Sequence, residues 1–219
     1  MSDTGVLASQ EDLALVERLR AGDEGAFMML VEEHQATMLR IARMYVSSRA
    51  VAEEVVQEAW LGVVKGIARF EGRSSLRTWI YRIVTNIAKT KGAAEGRSLP
   101  FSSLAGEDEP NPGIDPAWFQ DAEGLAPGGW KTLPANWRGI PEDRLLGNET
   151  LQRIGRAIET LPPVQAEVIR LRDVLGWSSD EVCNALDLSE TNQRVLLHRA
   201  RTRVRRELDD YLRTGSEGR

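Results

Sequence analysis

The sequence predicts an all-α protein of two small helical domains joined by a long linker. Apolar residues recur at three- and four-residue steps near both ends of the chain, which is the spacing of an amphipathic helix, and capping residues precede these segments. There is no alternating strand pattern bounded by hairpin turns. Residues 98–148 contain seven of the nine prolines and no sustained periodicity, so we interpret them as an acidic interdomain linker.

The first domain, residues 1–97, is predicted to be a helical bundle. Each predicted helix follows a side chain that can cap its first turn. The predictions are a short helix opened by Ser9 with Asp12, a helix capped by Asp23 from Glu24 to about Val46, one capped by Ser48 to about Phe70, and one capped by Ser75 to about Lys91.

The second domain, residues 149–219, is predicted to end in a helix-turn-helix. The predicted helices are Glu149 to Thr160, Val164 to about Asp173 after two prolines, one opened by a capping box of Ser178 with Glu181, and one capped by Ser189 to about Tyr211. The join between the last two helices, residues 186–188, has the length of a helix-turn-helix turn, although it lacks the frequent glycine.

Composition excludes several classes of protein. A single cysteine, Cys183, rules out a disulfide framework or a zinc finger, and we expect neither a metal nor a cofactor. The N-terminus carries acids early and has no continuous apolar core, so we expect no membrane insertion and a cytoplasmic protein. We find no phosphate loop or dinucleotide motif, and His34 and His198 lie in separate domains, so an enzyme is not expected.

Charge is unevenly distributed along the chain. The net charge of −5 argues against holding nucleic acid by bulk electrostatics. However, residues 65–97 carry eight cations against two acids, and residues 189–206 carry six arginines against one acid. The linker between them is acidic and contains Trp118, Phe119, Trp130 and Trp137, aromatic rings that are costly to leave in water. These rings either pack on the protein's own domains or dock on a partner.

The last helix has one apolar and one polar face. A helical projection places Leu197, Ala200, Val204, Leu208 and Tyr211 on the apolar face. The opposite face presents Thr191, Asn192, Val195, His198, Arg199, Thr202 and Arg206. In a helix-turn-helix the start of this helix enters the major groove, so Asn192, Val195 and Arg199 can reach base edges, while the later arginines lie nearer phosphates. The alternative is a solvated, arginine-rich surface helix.

The third and fourth helices each carry an unusual surface. On the third, Leu61 falls among Glu54, Gln57, Glu58 and Lys65, and is either a partner-docking spot or a single exposed leucine. The fourth is predicted to bury Leu76, Ile80, Ile83 and Ile87, to expose Thr78, Tyr81, Arg82, Thr85 and Lys89, and to hold Trp79 and Asn86 at the boundary. Cations mixed with aromatic rings suit melted DNA, and the preceding loop, residues 70–75, can hold an extruded base. Trp79 can equally be a core residue.

Three segments, in this order, resemble the extracytoplasmic-function (ECF) sigma factors. AEEVVQEAWLGVV (52–64) is similar to the helix of that family that binds core polymerase, and FEGRSSLRTWIYRIVTNIAK (70–89) is similar to its minus-ten loop and helix. LPPVQAEVIRLRDVLGWSSDEVCNALDLSETNQRVLLHRARTRVRREL (161–208) is similar to its minus-thirty-five domain. The resemblance covers both predicted domains and leaves the linker outside.

The resemblance implies a bacterial RNA polymerase sigma factor with core polymerase and promoter DNA as partners and an anti-sigma factor as a further candidate. The residues expected to bind core polymerase are Glu54, Gln57, Glu58 and Leu61. Those expected at the minus-ten element are Phe70, Arg73, Ser74, Arg77, Tyr81, Arg82, Asn86 and Lys89. Those expected at the minus-thirty-five element are Thr191, Asn192, Arg194, Val195, His198 and Arg199.

Two points are left open by the sequence. Gln193 stands where the family has an apolar core residue, and Val195 and Leu196 replace polar ones, which leaves the bases that are read undetermined. A helix-turn-helix regulator that binds an operator without joining polymerase would also explain the second domain, but it gives the segment 70–86 no role. We also expect the acidic linker to lie in a basic channel of the polymerase.

Overall fold

The computed structural model describes residues 7–96 and 148–216, with the side chains of 152–208 in the second range. Within these ranges the regular elements are helices and no strand occurs, which confirms the all-α prediction. The predicted linker, with Trp118, Phe119, Trp130 and Trp137, lies outside the described residues. No helix in the described ranges is long and apolar enough to cross a membrane.

The N-terminal range forms a bundle whose helices start where the sequence predicts. The helices are α1 (Gln10–Arg20), α2 (Glu24–Tyr45), α3 (Arg49–Gly66) and α4 (Leu76–Ala94). Ser9 forms a reciprocal capping box with Asp12, and Ser48 accepts a hydrogen bond from the backbone N–H of Val51. These caps satisfy donors that the first turn leaves unpaired, which explains why local sequence defines each start.

The core of this bundle lies between α2, α3 and α4. It is lined by fully buried apolar side chains, among them Leu30, Met38, Ile41, Val55, Leu76 and Ile80. α3 ends earlier than predicted, at Gly66, and continues as a 3₁₀ turn over Ile67–Arg69. A Cβ at Gly66 would lie 2.9 Å from the Trp79 ring, so glycine permits α3 and α4 to approach closely here.

The cap of α2 gives a direct test of this local control. Asp23 Oδ1 accepts a hydrogen bond of 3.0 Å from the Ala26 N–H, which lowers the pKa of Asp23, so the stabilisation is present at neutral pH and is lost as the pH falls through the lowered pKa. Asp23→Ala is expected to lower the urea midpoint of unfolding at neutral pH, because the first turn of α2 loses its hydrogen-bond acceptor. Asp23→Asn keeps the acceptor, and an equal loss in this control would contradict the capping account.

The C-terminal range forms a second set of helices. These are α5 (Asn148–Glu159), α6 (Pro163–Ile169), which continues as a π-helical turn over Arg170–Val174, α7 (Ser179–Leu186) and α8 (Glu190–Ser216). Ser178 and Glu181 form the predicted capping box of α7. Asp187 has φ 54° and takes the left-handed position in the turn between α7 and α8, where a glycine is frequent. This geometry confirms the helix-turn-helix.

The apolar face predicted for the last helix is confirmed where its side chains are described. Leu197, Ala200, Val204 and Leu208 are buried, while the side chain of Tyr211 lies outside the described residues. Gln193 is also buried and its Oε1 accepts a hydrogen bond of 3.1 Å from Ser179 Oγ. The glutamine therefore occupies a core position of the helix-turn-helix, as its place in the sequence suggested.

Candidate nucleic-acid interface

α3 presents an exposed surface opposite its buried face. The α3 patch consists of Glu54, Gln57, Glu58 and Leu61, and all four are exposed. Leu61 is 59% exposed, and Val64, one turn further along, is 53% exposed. Sequence reasoning missed Val64, although its three-residue spacing from Leu61 places both on one side of the helix. The patch is therefore apolar at its centre and acidic at its rim.

The loop before α4 is built around a buried ring. Phe70 is buried and meets Trp79 edge-on, with ring centroids 5.3 Å apart, so this side chain belongs to the core side of the loop. Arg73 is exposed and forms a surface ion pair of 3.1 Å with Glu71. Ser74 Oγ donates to the carbonyl of Ser75, the cap of α4. Arg73 and the backbone of the loop are thus the parts that a ligand can contact, while Phe70 packs on the inner side of the loop against Trp79.

The polar face of α4 consists of Arg77, Thr78, Tyr81, Arg82, Thr85 and Lys89. The prediction that Thr78, Tyr81 and Thr85 face outwards is wrong for this structure, because all three are buried. The cause is the second bundle, because α7 and Trp177, which precedes it, lie along this face. Thr85 Oγ1 donates a hydrogen bond of 2.7 Å to the carbonyl of Ala185, and the rings of Tyr81 and Trp177 stack at 5.3 Å.

Tyr81 is held on both sides. Its hydroxyl shares a hydrogen bond of 2.8 Å with His34 Nδ1 from α2, while its ring lies against Trp177. Burial raises the pKa of Tyr81 to about 12, and burial also lowers the pKa of His34. Both groups are therefore neutral at pH 7, and the tyrosine ring has a fixed orientation.

The cations of this face are paired with acids of the second bundle. Arg77 Nη2 lies 2.7 Å from Glu181, and its guanidinium lies 4.4 Å from the centre of the Trp177 ring. Asp187 receives both Arg82, at 2.8 Å, and Lys89, at 2.7 Å. The hydrogen bond from Lys89 is the main reason that the pKa of Asp187 is lowered, so this carboxylate is ionised at neutral pH.

Asn86 differs from the rest of the predicted minus-ten set. It is exposed and lies at the edge of α4 that faces α3, in a shallow groove shared with Glu58 and Lys91. α7 covers the neighbouring polar face but leaves this amide accessible. The structure therefore brings the predicted minus-ten residues onto one helix and its loop, with Asn86 and Arg73 in the open part.

The outer face of α8 consists of Thr191, Asn192, Arg194, Val195, His198 and Arg199. Thr191, Arg194 and Val195 are exposed, whereas Asn192, His198 and Arg199 are half-buried. Arg194 makes a weak surface pair of 3.4 Å with Glu190. Burial and the neighbouring arginines lower the pKa of His198, so its imidazole is neutral at pH 7. All six of these residues fall in the first three turns of α8, the part that a helix-turn-helix places in the groove.

Comparison with known proteins agrees with this geometry. Residues 30–97 match the family model described as Sigma-70 region 2, and residues 151–204 match the one described as Sigma-70, region 4. The ECF RNA polymerase sigma-E factor of Escherichia coli strain K12 is 32% identical over 202 residues, which cover 92% of this chain and 96% of the relative. The chain belongs to the ECF group of the sigma-70 family.

Two further relatives can be stated for this sigma factor. The RNA polymerase sigma-H factor of Pseudomonas aeruginosa is 29% identical over 208 residues, which cover 95% of this chain and 99% of the relative. A solved structure of CnrH in complex with the cytosolic domain of CnrY is 20% identical, covers 91% of this chain and 97% of that chain, and has a TM-score of 0.47. The two family models and the sequence relatives show that the protein is an RNA polymerase sigma factor, whose partners are core polymerase and promoter DNA.

Sequence reasoning missed three residues that shape the surface of this sigma factor. Trp177, Glu181 and Asp187 all contact the polar face of α4 from the second bundle. In the sequence, Glu181 was visible only as part of a capping box and Asp187 only as part of a turn. Their second role depends on contacts across about a hundred residues, for which helical periodicity carries no signal.

Proposed function

We propose that this sigma factor divides its work between three surfaces, and that the α3 patch binds core polymerase. An exposed leucine surrounded by acids and an amide is the chemistry of a docking site for a basic, partly apolar helical surface. Leu61 and Val64 supply the apolar centre, and Glu54 and Glu58 supply the charge. This patch is the observation that carries the proposal, because an operator-binding regulator has no use for it.

The second surface is the polar face of α4 with the loop before it, which we assign to the melted minus-ten strand. Arg77, Arg82 and Lys89 supply cations for phosphates, and Tyr81 supplies a ring for stacking. Arg73, Ser74 and Asn86 supply hydrogen-bonding groups at the open edge, with Phe70 as the support of the loop. Single-stranded nucleic acid is held by this combination of cations and rings.

The third surface is the outer face of α8, which we assign to the minus-thirty-five duplex. If Arg199 contacts a base, Arg199→Ala is expected to reduce discrimination between a matched and a mismatched upstream element by about 1–3 kcal/mol, as measured by competition binding of holoenzyme. Arg206, two turns further along, is the control, because Arg206→Ala should weaken both duplexes equally. An equal loss for Arg199→Ala would make Arg199 a phosphate contact instead.

The remaining assignments follow the same proposal. Residues 1–97 and 149–219 are sigma domains 2 and 4, residues 98–148 are the linker lying in a basic channel of the polymerase, and an anti-sigma factor is a candidate partner. We place the protein in the cytoplasm, where core polymerase works, and we expect it to act by binding without a catalytic centre, metal or cofactor of its own. Among the described residues, no cluster of three or more His, Cys, Asp or Glu side chains is arranged to hold a metal ion.

The deciding experiment is run-off transcription with purified core polymerase and genomic promoter fragments. Specific initiation that depends on this chain, together with its co-purification with core polymerase, would support the proposal. The rival is a helix-turn-helix regulator that binds DNA alone. Operator binding with neither initiation nor co-purification would establish that rival.

A further inference from the structure

The loop before α4 is held by the N-terminal segment, residues 8–20, which comprises α1 and the two residues before it. This segment lies outside residues 30–97, the part of the chain that matches Sigma-70 region 2. Three backbone carbonyls, those of Ile67, Phe70 and Gly72, accept hydrogen bonds from it. They lie in the loop and in the turn that leads into it, so the conformation of the loop depends on a helix that belongs to none of the three assigned surfaces.

Arg20, the last residue of α1, holds the start of the loop. Its Nε donates to the carbonyl of Ile67 at 3.2 Å, and its Nη2 donates to the carbonyl of Phe70 at 2.7 Å. Its Nη1 pairs with Glu17 of α1 at 2.7 Å, and the side chain is only 33% exposed. Because a guanidinium is planar and its donors point in fixed directions, one side chain sets the spacing of the two carbonyls.

Asp12 holds the end of the loop. Its Oδ2 accepts a hydrogen bond from the N–H of Ser9 at 3.1 Å within the capping box of α1, and another from the N–H of Leu76 at 3.3 Å. Leu76 is the first residue of α4, so a single carboxylate stabilises the starts of two helices. This second hydrogen bond fixes the point at which the loop becomes a helix.

The middle of the loop packs against the same segment. The N–H of Ala8 donates to the carbonyl of Gly72 at 3.1 Å. Gly72 has φ 72°, a backbone conformation that favours glycine, and a Cβ at this position would lie 3.4 Å from Leu13 Cδ2. Arg73, the next residue, is exposed. The loop is therefore in contact with α1 on one side, while its outer part stays accessible to DNA.

Contacts of this kind affect recognition because a loop must be ordered before it can discriminate between ligands. A loop that becomes ordered only on binding loses conformational entropy at that moment, which lowers its affinity. Residues 8–20 order this loop beforehand at its start, middle and end. A binding surface that is fixed in advance also holds its polar groups in the geometry that a matched base requires.

We infer that α1 positions the loop before α4 for minus-ten recognition, with Arg20 and Asp12 as positioning residues. Both act through the backbone of the loop and its junction with α4, and neither is among the residues that we assign to DNA. The inference rests on the proposed minus-ten role of the loop. It gives α1 a part in promoter opening.

The test compares Arg20→Ala with Arg18→Ala in the full chain, both free and assembled with core polymerase. Arg18 is the matched control, since it lies on the same helix but pairs with Asp23 at 2.9 Å, away from the loop. Each change removes one cation. Arg20→Lys keeps the charge but lacks the planar arrangement of donors. Far-UV circular dichroism checks the fold, and pull-down with tagged core polymerase checks assembly.

Two measurements follow the loop and its function. Hydrogen exchange at the Phe70 amide, which donates to the carbonyl of Ile67, measures local opening in the free chain. Open-complex formation by holoenzyme measures discrimination between an intact and a substituted minus-ten element, on a promoter fragment found by run-off transcription. For Arg20→Ala we expect exchange to be about tenfold faster and minus-ten discrimination about tenfold lower, because two hydrogen bonds to the loop are lost. Discrimination at the upstream element should not change, and Arg18→Ala should match the wild type.

Asp12→Ala tests the other end of the loop. It removes the acceptor of the Leu76 N–H, so exchange at the Leu76 amide should become faster. Minus-ten discrimination should fall as it does for Arg20→Ala. Faster exchange at Leu76 with wild-type discrimination would contradict a positioning role for Asp12.

The other results that would overturn the inference are distinct. Wild-type exchange and discrimination in Arg20→Ala would show that α1 does not position the loop. Wild-type discrimination despite faster exchange would do the same if Asn86→Ala lowers promoter opening. If Asn86→Ala has no effect either, the failure lies in the proposed minus-ten assignment. Full recovery in Arg20→Lys, or an equal loss in Arg18→Ala, would show that charge is responsible and not the hydrogen bonds to the two carbonyls.

Discussion

Leu61→Asp is expected to abolish capture of core polymerase while leaving the helical fold intact. Leu61 is more than half exposed at the centre of the α3 patch, so the free chain loses almost no packing when it is replaced. In the complex, however, an aspartate would have to be buried in an apolar contact. Truncation of a central anchor costs roughly 2–4 kcal/mol, about 30- to 1,000-fold in affinity, and an added buried charge increases this loss.

Pull-down with tagged core polymerase measures this effect, and circular dichroism checks the fold. Met29→Asp is the matched control, since Met29 is a similarly exposed apolar residue on α2, outside the α3 patch. It should bind core polymerase as the wild type does. Wild-type capture by a folded Leu61→Asp chain would remove the α3 patch from the proposed function.

Ile80→Ala is expected to have the largest effect on stability. Ile80 is fully buried on the inner side of α4, against α2 and α3, and the cavity left by alanine costs about 2–5 kcal/mol. That is a large share of the roughly 5–15 kcal/mol that stabilises a typical domain, so much of the N-terminal bundle would unfold near physiological temperature. Urea denaturation followed by far-UV circular dichroism measures the loss.

Asn86→Ala, on the same helix, is expected to leave stability nearly unchanged. Asn86 is exposed, so its replacement should change the free energy of unfolding by no more than about 0.5 kcal/mol. If Asn86 reads the melted strand, promoter opening by holoenzyme should nevertheless fall. Equal stability losses for Ile80→Ala and Asn86→Ala would contradict the assignment of Ile80 to the buried face of α4 and of Asn86 to its exposed face.

The sequence predicted most helix starts correctly because capping is local. Ser9, Asp23, Ser48, Ser75 and Ser178 each accept a hydrogen bond from a backbone N–H within the next three residues. The end of α3 was predicted less well. The helix changes to a 3₁₀ turn just after Gly66, where Trp79 packs closely against the glycine. This is a tertiary contact, which the local sequence pattern does not indicate.

The site was predicted in its residues but not in its arrangement. Leu61 is exposed as expected, since a residue on the polar side of an amphipathic helix has no bundle to enter. Thr85 was expected outside for the same reason, yet it is fully buried. Polar residues face solvent only if nothing complementary covers them, and Ala185 supplies the carbonyl that makes burial of Thr85 possible.

The left-handed backbone at Asp187 has a consequence for how this position tolerates mutation. Only a few residue types adopt φ near 54° without strain, and of these only aspartate also presents a carboxylate to Arg82 and Lys89. In a saturation library, glycine and asparagine should pass a screen for folding, although both lack the carboxylate that pairs with Arg82 and Lys89. Residue types that are neither small nor locally hydrogen-bonding should fail the screen for folding, so this position separates the demand of the turn geometry from that of the ion pairs.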